Sequence, residues 1–214
     1  MKLSSSLLFL ALFVFGMAHG PVTKAQKIGI ALFYEDSVQA LDIKIESGKL
    51  AILGGDEIIG ALRPGGRLRI ERTGKALFLI QGMKVLGKYP EIKLLRAQAN
   101  FLEKKFRNQA QGPLRTQLAP ENGKARTAVY DGGFYIRPAY HELQVINLVG
   151  FDYYLAGVVE AESGFSARPE FYKAQAILAR TYALKNLMRH QLEGFNLCDR
   201  VHCQAYKGRT RQNP

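Results

Sequence analysis

The sequence predicts an α+β protein: a short antiparallel β unit followed by a helix-containing core. Three observations predict it. Short apolar runs with period-two alternation, punctuated by Gly-rich turns, fill the first half. Two helical patterns follow between Phe151 and Met188. A Cys/His cluster, holding both cysteines of the chain, closes the pattern at Cys198–Cys203.

The first residues carry a different signal. Lys2 precedes the apolar run Leu7–Phe15, which is too short to span a bilayer and is followed by small residues. Residues 1–25 therefore read as a signal peptide, with rival cleavage points after Ala18 and Ala25. The expected location is secreted, periplasmic or cell-envelope. The formal net charge is +12; losing Lys2, or Lys2 and Lys24, leaves +11 or +10. Such a charge draws an exported protein to anionic polymers. Export and the lack of a basic–aromatic binding motif argue against nucleic acid as the partner.

Residues 26–110 read as a β-rich part. Lys27–Phe33, Ala40–Ile45, Lys49–Leu53, Leu68–Glu71 and Ala76–Ile80 are predicted strands, with turns at Ser47-Gly48 and Gly54-Gly55. Leu94–Ala110 could be helical. Gln111–Lys124, with Pro113, Pro120 and Gly123, reads as a loop. Residues 125–214 form the second part. Ala128–Tyr130 and Phe134–Ile136 read as a hairpin turned by Asp131-Gly132, and Leu143–Val149 as a strand.

Phe151–Val159 is the first helical pattern, with Glu160 and Glu162 at its end before Ser163-Gly164. Two residues apart, the two acids cannot share a helix face, so at most one can point into a given cleft. On residue type alone both read as solvated. Pro169 suits the first turn of a second helix, and Glu170 suits its positive end. Ala174, Ile177, Leu178, Thr181, Leu184 and Met188 form one apolar stripe, with enough alanine for a neighbouring element to approach closely. Lys173 and Arg180 are polar insertions. Cys198, His202 and Cys203 place three soft or borderline ligands within six residues, with His190 as a candidate fourth. A short-loop disulfide is the alternative for an exported chain.

Three motifs in order, YLAGVVEAES from Tyr154, KAQAILARTYAL from Lys173 and GFNLCDRVHCQAYKG from Gly194, resemble the SpoIID/LytB family of sporulation and amidase-enhancer proteins. The resemblance is strongest over about residues 145–208; upstream it implies strands or a variable insert over Leu94–Ala110 in place of a helix. It implies a lytic transglycosylase acting on peptidoglycan glycan strands, with Glu162 as the single catalytic acid. Its apolar neighbours Leu155, Val158, Val159 and Phe165 are expected to desolvate it, which favours a protonated starting state. Lys173 and Arg180 become candidate substrate contacts, and zinc a structural cofactor on His190, Cys198, His202 and Cys203. Other cell-wall hydrolases are the further partners implied, and a non-catalytic, wall-binding amidase enhancer is the alternative function. Two departures stand out. Ser163-Gly164 replaces the Met-Pro usual in the family, and the family domain normally continues past HCQAYKG, so this chain is expected to carry only part of it.

Overall fold

The computed structural model describes residues 27–97, 114–121 and 127–209. The expected signal peptide, most of the Leu94–Ala110 segment and the ends of the 111–124 loop lie outside them. Eight strands come first: β1 Lys27–Leu32, β2 Ala40–Ser47, β3 Leu50–Gly54, β4 Glu57–Leu62, β5 Arg67–Thr73, β6 Ala76–Gln81, β7 Lys84–Tyr89 and β8 Ile92–Arg96. Then come β9 Arg115–Glu121, β10 Ala128–Asp131, β11 Gly133–Ala139 and β12 Glu142–Gly150. Helix α1 spans Phe151–Ser163 and α2 spans Pro169–Lys185; a 3-10 turn at Gln191–Glu193 and the short β13 Leu197–Cys198 follow. Two sheets with mostly antiparallel strands plus two helices make the fold α+β, as the sequence predicts. None of the described helices is long and apolar enough to cross a membrane.

Alternation drives the sheets. In β2, Leu41, Ile43 and Ile45 are buried while Asp42, Lys44 and Glu46 face out, the pattern of a strand packed on one side. The seven-stranded sheet runs β13-β1-β12-β11-β8-β3-β4, the six-stranded sheet β10-β9-β2-β5-β6-β7, and one hydrophobic core joins them. Each sheet draws strands from both the 26–110 and the 125–214 spans, so the early β unit and the later part share one core.

Three local expectations need correction. Ala128–Asp131 and Phe134–Ile136 are not a hairpin: β10 pairs with β9, whereas β11 pairs with β12 and β8. The Asp-Gly step is a corner between sheets. Gly132 sits at φ +88°, and a Cβ there would lie 2.5 Å from the Leu148 carbonyl oxygen, so only glycine fits. Leu94 and Leu95 lie in a strand rather than a helix, because β8 is inserted between β3 and β11. The 114–121 part of the expected loop is strand β9, between β2 and β10. Its Pro120 stands near the strand end, where a missing N–H is tolerated.

Asn147, fully buried in β12, fastens the corner. Its Nδ2 donates to the carbonyls of Asp131 (2.8 Å) and Gly133 (3.0 Å), and its Oδ1 accepts from the Tyr206 hydroxyl (3.0 Å). Asn147→Ala would strand three buried polar groups at once. It should lower unfolding free energy by about 2–4 kcal/mol in a urea titration, with Asn147→Asp doing at least as much harm by placing a charge there.

Candidate active site and metal centre

Helix α1 starts directly from β12, so its orientation is set by the seven-stranded sheet. Tyr154 and Val158 are fully buried and hold α1 on the core. The Tyr154 hydroxyl donates to Gln204 Oε1 (3.0 Å), and Gln204 Nε2 reaches the Ala179 carbonyl of α2 (3.3 Å). Burial pushes the Tyr154 phenol well above its ordinary value, so it stays a neutral donor. Gly157 lets the chain near Tyr206 lie directly on α1: a Cβ there would fall 2.6 Å from the Tyr206 ring and 2.9 Å from the Gly208 carbonyl oxygen.

Pro169 opens α2 in its first turn, as the sequence predicts. The expected stripe, however, faces outward. Ala179 and Ala183 are buried instead, while Ile177 and Leu178 remain 66% and 63% exposed. The close approach that alanine permits occurs on the opposite side of the helix, where two small side chains meet the core.

Glu160 and Glu162 both fall inside α1, near its end. The helix separates them, as two-residue spacing requires. Glu160 lines a cleft of about 700 Å³ between α1 and α2, with Asp152, Leu155, Val159, Phe165 and Tyr172. Lys173, Arg180 and Arg209 line the same cleft, so the two predicted substrate contacts come together there. The Arg180 guanidinium also lies 5.9 Å from the Phe151 ring centroid, which braces α2 on α1. Glu162 is elsewhere. It is exposed, and its Oε2 accepts from Gln175 Nε2 at 2.6 Å. The expected desolvation of Glu162 is not found: Leu155, Val159 and Phe165 line the Glu160 cleft, and Val158 is in the core.

The Cys/His cluster is assembled by the chain returning to β1. β13 pairs in parallel with β1, Leu197 beside Ile30 and Cys198 beside Ala31. Asn196 ties Gly29 N (2.8 Å) to the Leu187 carbonyl (2.9 Å). The Asp199 carboxylate accepts the N–H groups of Phe33 (2.7 Å) and Tyr34 (3.3 Å). Burial pushes its pKa up to about 6, against the pull of these two N–H donors. Arg200 donates to the Tyr34 carbonyl (2.6 Å) and pairs with Asp36.

His190, Cys198, His202 and Cys203 thereby bring one ligand atom each within 4.8 Å of one another. His190 Nε2 is 3.3 Å from Cys203 Sγ, and Cys198 Sγ is 3.6 Å from His202 Nδ1. The two cysteines are not bridged. His190 Nδ1 is 2.6 Å from the Glu193 carboxylate, which also accepts from the Tyr34 hydroxyl (3.0 Å). A carboxylate on the far nitrogen turns Nε2 toward the sulfur, the arrangement found behind metal-bound histidines. Burial, with Cys203 close by, pushes the Cys198 thiol well above its usual range, so two thiolates here call for a compensating cation. The donor set could hold one.

Sequence reasoning missed Glu193, Gln175, Gln204 and Asn147. Glu193 lies three residues after His190 and Gln175 lies inside the KAQA motif, so spacing offered a cue for those two. Gln204 and Asn147 act across 50 and 59 residues, where no local pattern reaches.

An α+β core that joins an acid-bearing helix pair to a buried Cys/His cluster is the class this chain presents. Residues 139–214 match the SpoIID family model, described as Stage II sporulation protein, a similarity consistent with a cell-wall or sporulation-related role. Comparison with curated proteins and with solved structures gave no match. Gly157→Ala should destabilise this segment by about 1–3 kcal/mol through overpacking against Tyr206, read as a lower midpoint in urea at unchanged slope.

Proposed function

We propose that this chain is a lytic transglycosylase of the cell envelope that cleaves peptidoglycan glycan strands, with Glu162 as its acid and base. The observation that carries the reading is the Glu162 carboxylate: exposed at the end of the motif-bearing helix α1, it has one oxygen held by Gln175 of the second motif at 2.6 Å. A positioned carboxyl group of this kind can serve both halves of a transglycosylation. Protonated Glu162 gives its proton to the glycosidic oxygen as the bond from that oxygen to the anomeric carbon breaks. The sugar's own 6-hydroxyl bonds to the anomeric carbon, and its proton returns to Glu162. A 1,6-anhydro end forms and no water is consumed. The neighbouring cleft, with Lys173, Arg180 and the aromatic Phe165 and Tyr172, offers hydroxyl partners and flat apolar faces for adjacent sugars. Residues 1–25 would export the chain to this substrate.

One observation favours a second reading, a non-catalytic wall-binding enhancer of other cell-wall hydrolases. Glu162 is solvent-exposed, and the carboxylate inside the cleft is Glu160. Mass spectrometry of glycan strands, with and without stem peptides, separates the possibilities. The wild-type chain is expected to make anhydro ends, Glu162→Gln to lose about 100-fold or more of that rate, and Glu160→Gln to stay within a few-fold. The converse ranking assigns the acid to Glu160. Glycan binding without anhydro ends, with stimulation of an added amidase, establishes the enhancer reading.

The residues present fit zinc. His190 through Nε2, Cys198, His202 and Cys203 would hold it, and four protein ligands make a closed, structural site. The ion would neutralise the thiolates and tie the 190–203 loop to β1. Elemental analysis should find one zinc per chain, lost in Cys203→Ser. Chelation should lower the melting temperature of wild type and leave that variant unmoved, while Glu193→Gln should weaken zinc affinity about 10- to 100-fold.

A further inference from the structure

The outward stripe of α2 is not used by the core, and only Ile177 of it reaches the α1–α2 cleft. Phe171, Ile177, Leu178 and Leu184 are all exposed on the side of α2 away from Ala179 and Ala183. Ala174 and Thr181 lie along the middle of this face, also exposed. A contiguous exposed apolar face of this kind marks an interaction surface.

Its pattern names the occupant. About a point midway between Ile177 and Leu178, the stripe reads the same in both directions. Ile177 mirrors Leu178, Ala174 mirrors Thr181 and Phe171 mirrors Leu184. Large meets large at the centre and the ends, and small meets small between them, where two helices can come close. Charge follows the same mirror. Exposed Glu170 in the first turn mirrors exposed Lys185 in the last. An antiparallel copy therefore sets each Glu170 against a Lys185 of the second copy and opposes the helix dipoles, whereas a parallel copy would set like against like.

We infer that α2 is a homodimer interface, packing antiparallel on the α2 of a second copy about a two-fold axis between Ile177 and Leu178. The contact is isologous, so each residue pair occurs twice. Ile177 also lines the α1–α2 cleft, so the second copy runs along the rim of each cleft. A single five-turn helix pair is smaller than a standard stable interface, and the dimer is accordingly weak.

Sedimentation velocity of the full chain across the micromolar range tests this, with circular dichroism confirming that each variant is folded. Wild type should pass from monomer to dimer as concentration rises. Leu178→Glu should remain monomeric throughout. Lys185→Glu should weaken association about 3- to 10-fold, and the double reversal Glu170→Lys/Lys185→Glu should recover most of that loss, both effects shrinking at high salt. A wild-type chain that stays monomeric, association that survives Leu178→Glu, or a double reversal no tighter than Lys185→Glu alone each overturns the inference.

Discussion

A half-buried carboxylate, Asp199, ties down the Cys/His end of this molecule. Asp199 accepts the N–H groups of Phe33 and Tyr34 and so binds the returning chain to the exit of β1. The loop it holds is strained. Phe33, Glu35 and Ser37 adopt left-handed φ values of 57°, 68° and 53° with no glycine among them, a conformation that costs each such residue about 1–2 kcal/mol. The two N–H bonds, the Arg200 contact to the Tyr34 carbonyl and its ion pair with Asp36 offset that cost. Remove the carboxylate and the β1 exit relaxes. With it goes the register that sets Cys198 beside Ala31 and Tyr34 beside Glu193.

The same returning chain fastens the helices. Cys203 and Gln204 are buried next to His202, whose carbonyl accepts from Tyr182 of α2 (2.9 Å). Gln204 spans from Tyr154 on α1 to Ala179 on α2. Tyr206 continues to Asn147 at the sheet corner, and Arg209 makes a two-point ion pair with Asp131 on the other side of that corner. Cluster, acid-bearing helix and sheet corner are therefore mechanically one unit, joined by buried hydrogen bonds that each need their partner to avoid an unpaired polar group. That explains why residues so far apart in sequence occupy one motif block.

What could be read from the sequence was whatever a single element encodes. The alternation of Leu41, Ile43 and Ile45 and the Pro169 start both report local geometry, and both stand in the structure. So does the separation of Glu160 from Glu162. What could not be read was which neighbour each face would meet. The apolar stripe of α2 has the period of a core-facing helix, yet two alanines on the other side make the tighter contact. Asp131-Gly132 has the chemistry of a hairpin turn, yet the same positive φ serves a step between sheets. Pro120 suggests a loop, yet a strand tolerates proline near its end. The grouping of Cys198, His202 and Cys203 was legible because the three stand within six residues, and His190 was the candidate to join them. The Glu193 carboxylate was not legible; it is an ordinary surface residue until the 3-10 turn brings it to His190.

Charge works at two scales here. The whole chain carries +12, a field that gathers anionic polymers over about a Debye length without distinguishing among them. The α1–α2 cleft is almost balanced by contrast: Asp152 and Glu160 face Lys173, Arg180 and Arg209 around an apolar floor. Under the proposed function, a glycan with spaced hydroxyls would meet both signs of charge and an apolar floor there. Under that proposal, long-range attraction and local selection would be separated. The first depends on basic residues spread over the surface and fades with salt. The second would depend on a few side chains held by α1 and α2.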